Sequence, residues 1–277
     1  MLRALARIGV FDEAEGPTFA ITPVSDVLRD DHPRSLRWMA ASMSDHAHWT
    51  PWGKAYETVV EGRCQTDRVL GGSPWEYLSG NPEEAGRFGQ AMTNLSRAAV
   101  AGVVDSFDFS AYRHIVDVGG NHGTLLAAIL DHSPEATGVL FDLSDVIAVA
   151  ERELVHHPAR RRMDLVGGSF FDEVPSGGDL YTMKYILHDW PDGDAARILR
   201  TTRDAMSDSS RLLVLDNVLT AEAPPFVAWL DVHMMVLQDG KERTADEFRE
   251  LFERAGFALE SITHTPGPVA LVLARPV

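Results

Sequence analysis

The sequence predicts an α/β fold built on a mostly parallel sheet and preceded by a helical part. Two observations predict it. After residue 105, short apolar runs alternate with helical patterns, whereas before residue 105 apolar residues recur mainly at helical spacing. Strands that read as near-continuous apolar runs are typical of a parallel sheet covered on both faces. We therefore expect a helical part over 1–105 and a sheet-containing part over 106–277.

The residue pattern of the first part predicts a short helix over 2–8 and a β-hairpin over 11–23, where a proline ends the second strand. Asn81 followed by Pro82 is typical of an N-cap and a first helical residue. Further helices are expected over 35–49, 52–62 and 82–104.

The residue pattern of the second part predicts five strands that alternate with helices, followed by a closing pair of strands. Thr244 with Glu247 three residues later predicts a capping box at the start of the last helix. The Pro266–Pro268 turn between the closing strands indicates an antiparallel hairpin at the sheet edge. The strands are expected over 114–120, 137–143, 163–168, 179–187, 211–219, 259–265 and 268–274.

Composition excludes several classes of protein. The 277 residues are 45% apolar and carry a net charge of −16, which would repel a nucleic-acid backbone. One cysteine, Cys64, excludes a disulfide framework, and no run approaches the roughly 20 apolar residues of a membrane span. No histidine pair has metal-ligand spacing. We expect a cytoplasmic protein with no metal, no nucleic acid and no membrane partner.

A glycine turn, DVGGNHG at 117–123, follows the first predicted strand of the sheet. Glycines at this point let a ligand approach the backbone closely. A dinucleotide would favour G-x-G-x-x-G, but Val118 occupies the first glycine position. The acid-x-G-x-x-x-G pattern from Asp117 suits S-adenosylmethionine instead, and Asp142, after the next strand, suits ribose hydroxyls in either case. A turn without any ligand also remains open.

Six segments in order then give a specific resemblance: DVGGNHG, LFDL, GGSFFD, MKYILHDW, LVLD and GKERT. Together they resemble the plant-type small-molecule O-methyltransferases and their bacterial relatives. The resemblance implies a Rossmann-like class I methyltransferase domain with a seven-stranded sheet, after a partial winged-helix-like dimerisation domain. It also implies S-adenosylmethionine as cofactor, an aromatic or polyketide-type acceptor and a homodimer.

The resemblance assigns roles to individual residues. His188 matches the family's catalytic base, and Glu242 and Asp216 match carboxylates near that base. The residues expected to contact the cofactor are Gly119, Asp142, Leu143, Ser169, Phe170 and Lys184. Those expected to contact the acceptor are Trp49, Met92, Met234 and Gln238.

Elementary chemistry suits these roles. A phenol has a pKa of about 10 and a histidine of about 6.5, so an imidazole is a suitable proton acceptor near neutral pH. A carboxylate on the other ring nitrogen would fix the tautomer. We expect Glu242 to fill this role, with Asp216 second. Asp189 directly follows His188, and we expect it to contact backbone or cofactor rather than the same imidazole.

Three residues depart from the family pattern: Asn121 replaces a common glycine, Ser169 an aspartate and Asp216 a glutamate. The earliest helices of the family's dimerisation domain have no counterpart before Met1. Either the sequence is a piece of a longer chain, or the dimer forms through the remaining helices.

Three other functions stay open at this point. They are a tailoring enzyme that binds S-adenosylmethionine without transferring its methyl group, a nicotinamide-dependent oxidoreductase, and a DNA-binding regulator. The negative charge makes the last of these improbable.

Overall fold

The computed structural model describes residues 1–267 and 269–277, which form a two-stranded and a seven-stranded sheet surrounded by helices. The strands are β1 (Phe11–Glu13), β2 (Phe19–Ile21), β3 (His114–Val118), β4 (Thr137–Asp142), β5 (Met163–Gly167), β6 (Leu180–Lys184), β7 (Arg211–Asp216), β8 (Phe257–His264) and β9 (Ala270–Pro276). The helices are α1 (Leu2–Arg7), α2 (Pro23–Asp26), α3 (Arg37–Ser42), α4 (His46–Trp52), α5 (Ala55–Glu61), α6 (Thr66–Leu70), α7 (Pro74–Gly80), α8 (Pro82–Ser106), α9 (Thr124–His132), α10 (Ser144–Leu154), α11 (Asp192–Ala205), α12 (Pro225–Gln238) and α13 (Ala245–Arg254).

The large sheet has the strand order β5-β4-β3-β6-β7-β9-β8. Strands β3 to β7 pair in parallel, and β9 pairs antiparallel with both β7 and β8. The predicted mostly parallel sheet and its antiparallel closing strands are therefore confirmed. Pro268, in the predicted turn between those two strands, lies outside the described residues.

Alternate residues of each central strand pack on opposite faces of the sheet. In β7, Leu212 and Val214 join a core with α11 and α13, whereas Leu213 and Leu215 join a core with α8, α9 and α10. Full burial of such a side chain contributes about 1.5–3 kcal/mol, which explains why these strands carry apolar residues at every position.

The first part contains more and shorter helices than the pattern predicts. The segment 35–49 contains α3 and the start of α4, and the predicted hairpin forms as β1 and β2. Asn81 occupies the N-cap of α8, but its side chain does not cap the helix. It donates instead to the carbonyl oxygen of Tyr77. Helix α7 was not predicted, although Ser73 and Glu76 form a capping box that marks its start.

The predicted capping box of the last helix is confirmed. The Thr244 side chain accepts from the Glu247 backbone, and the Glu247 carboxylate accepts from the Thr244 backbone at 2.8 Å. Helix α12 of the second part packs against α4, α5 and α6 of the first. Within the described residues, every helix is too short or too polar to span a membrane.

Candidate active site

A cavity of about 960 Å³ lies at the carboxyl ends of β3, β4 and β6, with α8 forming part of its wall. In open α/β sheets, ligands bind at this edge, where the strand order reverses. The wall is mainly apolar and includes the rings of Trp38, Trp75 and Trp190. All six residues expected to contact a cofactor line this cavity: Gly119, Asp142, Leu143, Ser169, Phe170 and Lys184.

The glycine turn forms one side of the cavity. Gly119 has a left-handed backbone (φ 69°) and donates its N–H to the carbonyl oxygen of Phe141 at 2.8 Å. A Cβ atom at Gly119 would collide with the Ile186 side chain. The left-handed backbone and the close approach of Ile186 both favour glycine at this point, and Gly119 borders the cavity.

The charged groups beside this turn are buried. Asp142 accepts from the backbone N–H groups of Asn121 and Leu143, each at 2.7 Å, and burial raises its pKa to about 6. Burial lowers the pKa of Lys184 to about 8, and its Nζ lies 4.5 Å from the ring centroid of Tyr185. Both shifts disfavour the charged forms, but with these pKa values the carboxylate and the ammonium group are still mainly charged at pH 7.

His188 lies in a single turn of 3-10 helix, Leu187–Asp189, after β6. Its Nδ1 lies 2.8 Å from Oε1 of Glu242 and 3.7 Å from Oδ1 of Asp216. Its Nε2 lies 3.5 Å from Oδ1 of Asp189. Three carboxylates therefore surround one buried imidazole, and Glu242 makes the hydrogen bond to it.

These groups shift one another's proton affinities. Burial by itself lowers the pKa of His188, but the negative charges of Asp216, Asp189 and Glu242 outweigh burial and raise this pKa to about 10. Burial raises the pKa of Asp216 to about 7 and that of Asp189 to about 6, while the positive imidazole opposes both shifts. Because the groups titrate together, they behave as one cluster.

The expectation for Asp189 is wrong, since its carboxylate faces the same imidazole as Glu242 does, on the Nε2 side. The tight 3-10 turn brings the two consecutive side chains together. Among the described residues, the cavity wall includes Asp189 and Tyr185 but not His188. The Tyr185 ring stacks on the imidazole with centroids 5.3 Å apart. Tyr185 has a left-handed backbone (φ 55°), a conformation that bulky residues adopt mostly at functional sites.

Arg243 braces the turn that carries His188, and sequence reasoning missed it. Its side chain is 1% exposed. The guanidinium donates to the carbonyl oxygens of Leu187 (2.6 Å) and Trp190 (2.9 Å) and pairs with Asp192 at 2.9 Å. Such charge-assisted bonds are strong and directional, so they fix the turn relative to the segment that carries the glutamate.

The four residues expected to contact an acceptor divide into three groups. Met92 lines the cavity. Met234 and Gln238 lie on α12 outside its wall, and Gln238 donates to Asp189 at 3.1 Å. Trp49 is 71% exposed and is not part of the cavity wall, so its expected acceptor contact stays a prediction. The short helix α4 instead turns Trp52 inward.

A stack of neutral aromatic rings extends from the cavity to α12. Phe88 in the cavity wall stacks on His48, which stacks on His233 with planes 2° apart. Nε1 of Trp52 donates to Nδ1 of His233 at 2.8 Å. Burial lowers the pKa of His48 to about 4 and that of His233 to about 3.

His188, Asp216 and Glu242 also have the spacing of a metal site, since one ligand atom from each lies within 4.8 Å of the others. Nδ1 of His188 already has Glu242 as a hydrogen-bond partner. The expectation of no metal stays a prediction.

Comparison with known proteins identifies the family. The sequence profile of the O-methyltransferase domain matches residues 52–258. The chain is 40% identical to a phenazine O-methyltransferase, PhzM, of Lysobacter antibioticus, over 100% of this chain and 81% of the relative. It is 34% identical to a phenazine-1-carboxylate N-methyltransferase of Pseudomonas aeruginosa, over 99% of this chain and 81% of the relative.

A solved structure is similar over the whole chain. It is the O-methyltransferase NcsB1 from neocarzinostatin biosynthesis, in complex with S-adenosylmethionine and 2-hydroxy-5-methyl naphthoic acid. Its TM-score is 0.86 at 29% identity, over 100% of this chain and 83% of that one. The resemblance read from the six sequence segments is confirmed. The chain belongs to the O-methyltransferase family of S-adenosylmethionine-dependent tailoring enzymes.

Proposed function

We propose that this chain transfers the methyl group of S-adenosylmethionine to a hydroxyl group of an aromatic small molecule, with His188 as general base. One observation carries the proposal: the His188–Glu242 pair, 2.8 Å apart, lies directly behind the wall of a mainly apolar cavity. Flat aromatic molecules suit such a cavity, because indole and phenyl rings pack against them.

The residues of the cavity fit this cofactor. Asp142 uses one acceptor site of each oxygen on the backbone, and about two of the roughly four sites of a carboxylate remain for ribose hydroxyls. Phe170 and Leu143 offer apolar surface to an adenine ring, and Ser169 a neutral hydroxyl. The open backbone of Gly119 admits the amino-acid part. When bound, S-adenosylmethionine supplies a methyl carbon made electrophilic by a positively charged sulfur.

The protein's own contribution is positioning and proton removal. Holding the acceptor oxygen in line with the methyl group supplies most of the rate. His188 Nε2 takes the hydroxyl proton, and Glu242 at Nδ1 holds the tautomer and stabilises the resulting cation. Asp189 lies near Nε2, so the acceptor hydroxyl shares or replaces that contact.

The proton affinity of His188 matches a phenol. With a pKa of about 10, this imidazole takes a proton from a phenol of pKa about 10 at almost no free-energy cost. The same shift leaves only a small deprotonated fraction at neutral pH. We therefore propose that activity rises with pH through the alkaline range.

The test uses S-adenosylmethionine labelled in its methyl group and a panel of phenols, with products identified by mass spectrometry. We expect a product that gains one methyl group. His188→Ala should lower turnover by roughly 10²- to 10⁴-fold while S-adenosylhomocysteine still binds. Normal turnover in this variant would remove His188 as the base but leave methyl transfer standing. A product without a gained methyl group would overturn the transfer itself.

A nitrogen acceptor is the second candidate, favoured by the 34% identity to an N-methyltransferase. An aromatic ring nitrogen without a hydrogen needs no base. His188→Ala would therefore spare methylation of such a nitrogen and lower methylation of a hydroxyl by roughly 10²- to 10⁴-fold.

The two predicted parts divide these tasks in our proposal: residues 106–277 bind the cofactor, and residues 1–105 cover the acceptor. The homodimer also remains a proposal. Helices α4 and α5 expose Trp49, Tyr56 and Val60, which is typical of a surface that packs against a second copy. Light scattering over a range of protein concentrations measures the oligomeric state, and a monomer throughout would contradict the dimer.

A further inference from the structure

Asn121 occupies a position in the glycine turn that favours glycine, because its backbone is left-handed at φ 51°. Asparagine is one of the few other residues that tolerate this conformation. Its backbone N–H donates to Oδ2 of Asp142 at 2.7 Å. Its side-chain Nδ2 donates to the carbonyl oxygen of Gly89, on α8, at 3.1 Å. One residue thus bonds both to the ribose-site carboxylate and to the helix across the cavity.

The next residue, His122, also connects the turn to α8, and it connects the turn to α10 as well. His122 Nδ1 lies 3.0 Å from the Glu153 carboxylate of α10 and 3.3 Å from the Thr93 hydroxyl of α8. A Cβ atom at Gly89 would lie 2.9 Å from Nε2 of this histidine. The lack of a side chain at Gly89 therefore lets α8 approach the turn closely enough for the Asn121 bond.

Asn121 and His122 thus form a seam between the glycine turn and α8, and both sides of this seam line the same cavity. The turn and Asp142 form the cofactor side, while Gly89, Met92 and Ser96 belong to the α8 wall. A ligand that engaged Asp142 and ordered the turn would restrict Asn121, and through its amide the backbone of α8. Hydrogen-bonded connections of this kind can carry coupling between two sites, and the free energy of coupling acts equally in both directions.

We infer that Asn121 is a positioning residue that couples the cofactor site to α8, so that cofactor binding orders the wall against which the acceptor packs. The inference rests on the proposed binding of S-adenosylmethionine at Asp142. It gives a role to the side chain of Asn121, at a position where the resemblance implies a glycine.

The test measures hydrogen–deuterium exchange of α8 amides over residues 88–96, with and without S-adenosylhomocysteine. Asn121→Gly removes the side chain but keeps a residue that favours the left-handed backbone, so the turn should still form. Asp239→Gly is the matched control, because Asp239 is also left-handed (φ 55°) and lies at the end of α12, outside this seam. Calorimetry gives the S-adenosylhomocysteine affinity of each protein.

In the native chain and in Asp239→Gly, we expect the ligand to slow exchange over 88–96 by on the order of tenfold. In Asn121→Gly the ligand should still bind, more weakly by a similar factor, and the slowing should disappear. Equal slowing in Asn121→Gly would overturn the inference. A native chain that binds no S-adenosylhomocysteine would overturn the proposed function instead, and a native chain that binds it without slowing would overturn the inference alone.

Discussion

Buried histidines at two places near the cavity differ in charge: one is protonated at neutral pH, and the other two are neutral. His188 lies among three carboxylates, which raise its pKa to about 10. His48 and His233 lie among aromatic rings, where burial lowers their pKa to about 4 and about 3. Burial alone acts in the same direction on all three imidazoles. The difference shows that the neighbours of a buried histidine, not its depth, decide whether it can serve as a charged group.

The two places therefore suit different tasks. The His188 cluster can exchange protons with an acceptor, whereas the neutral stack offers flat faces and stays uncharged over the physiological range.

Glu242→Gln should have the largest effect. Glutamine removes the charge that stabilises the imidazolium, and its amide can present either an acceptor oxygen or a donor NH2 group to Nδ1, so the tautomer of the imidazole is no longer fixed. We expect kcat to fall by roughly 10²- to 10⁴-fold. Because a carboxylate that raises the pKa of His188 is gone, the acid limb of the pH–kcat/KM profile should move to lower pH. Steady-state kinetics over a pH series measure both, and an unmoved limb would contradict the cluster as the titrating group.

His48→Phe should change stability rather than chemistry. Burial lowers the pKa of His48 in the folded protein to about 4, from an ordinary value of 6.5. As pH falls from 6.5 to 4, this histidine binds a proton in the unfolded chain but not in the folded chain. The free energy of unfolding therefore falls by up to about 3 kcal/mol. Phenylalanine removes this loss, and urea unfolding at several pH values measures it.

His156→Gln serves as the control for that series, because His156 is exposed. An unfolding free energy with the same pH dependence in His48→Phe as in the native chain would show that the stack does not hold His48 neutral.

Asp216→Asn should have a smaller effect on rate than Glu242→Gln. Asp216 lies 3.7 Å from Nδ1, beyond hydrogen-bonding distance, and acts on the imidazole by charge. The acid limb should therefore move to lower pH while the maximal rate falls by only a few-fold. Loss of rate equal to that of Glu242→Gln would mean that Asp216 also positions the ring.

Treatment with a chelator should have no effect. His188, Asp216 and Glu242 could hold a metal ion by spacing, but the hydrogen bond between the first and last of them already explains their proximity. Activity lost to chelation and restored by a divalent cation would replace the proton-transfer account with a metal-dependent one.

Sequence patterns predict the second part of the chain better than the first. Long apolar strands and the Thr244 capping box are local signals, and each forms where expected. Apart from α8, the first part consists of short helices, and seven residues in α4 are too few for periodicity to set which side faces inward. This explains why the pattern does not show that Trp49 is exposed and that Trp52 packs against His233.

The candidate site follows the same rule. The sequence predicts roles for the glycine turn, Asp142 and His188 because their order along the chain is informative. It predicts no role for the side chains of Arg243 and Asn121, because their partners are distant in sequence: a carbonyl 56 residues away for Arg243 and one 32 residues away for Asn121. A charged residue such as Arg243 is normally exposed, and only tertiary contacts reveal that it is buried.

Strand β9 is the last strand in sequence, yet it lies between β7 and β8. Until residues 270–276 pair with both of them, each of these strands exposes an unpaired backbone edge, which readily pairs with other chains. Docking of β9 should therefore be the folding step that protects this side of the sheet from aggregation.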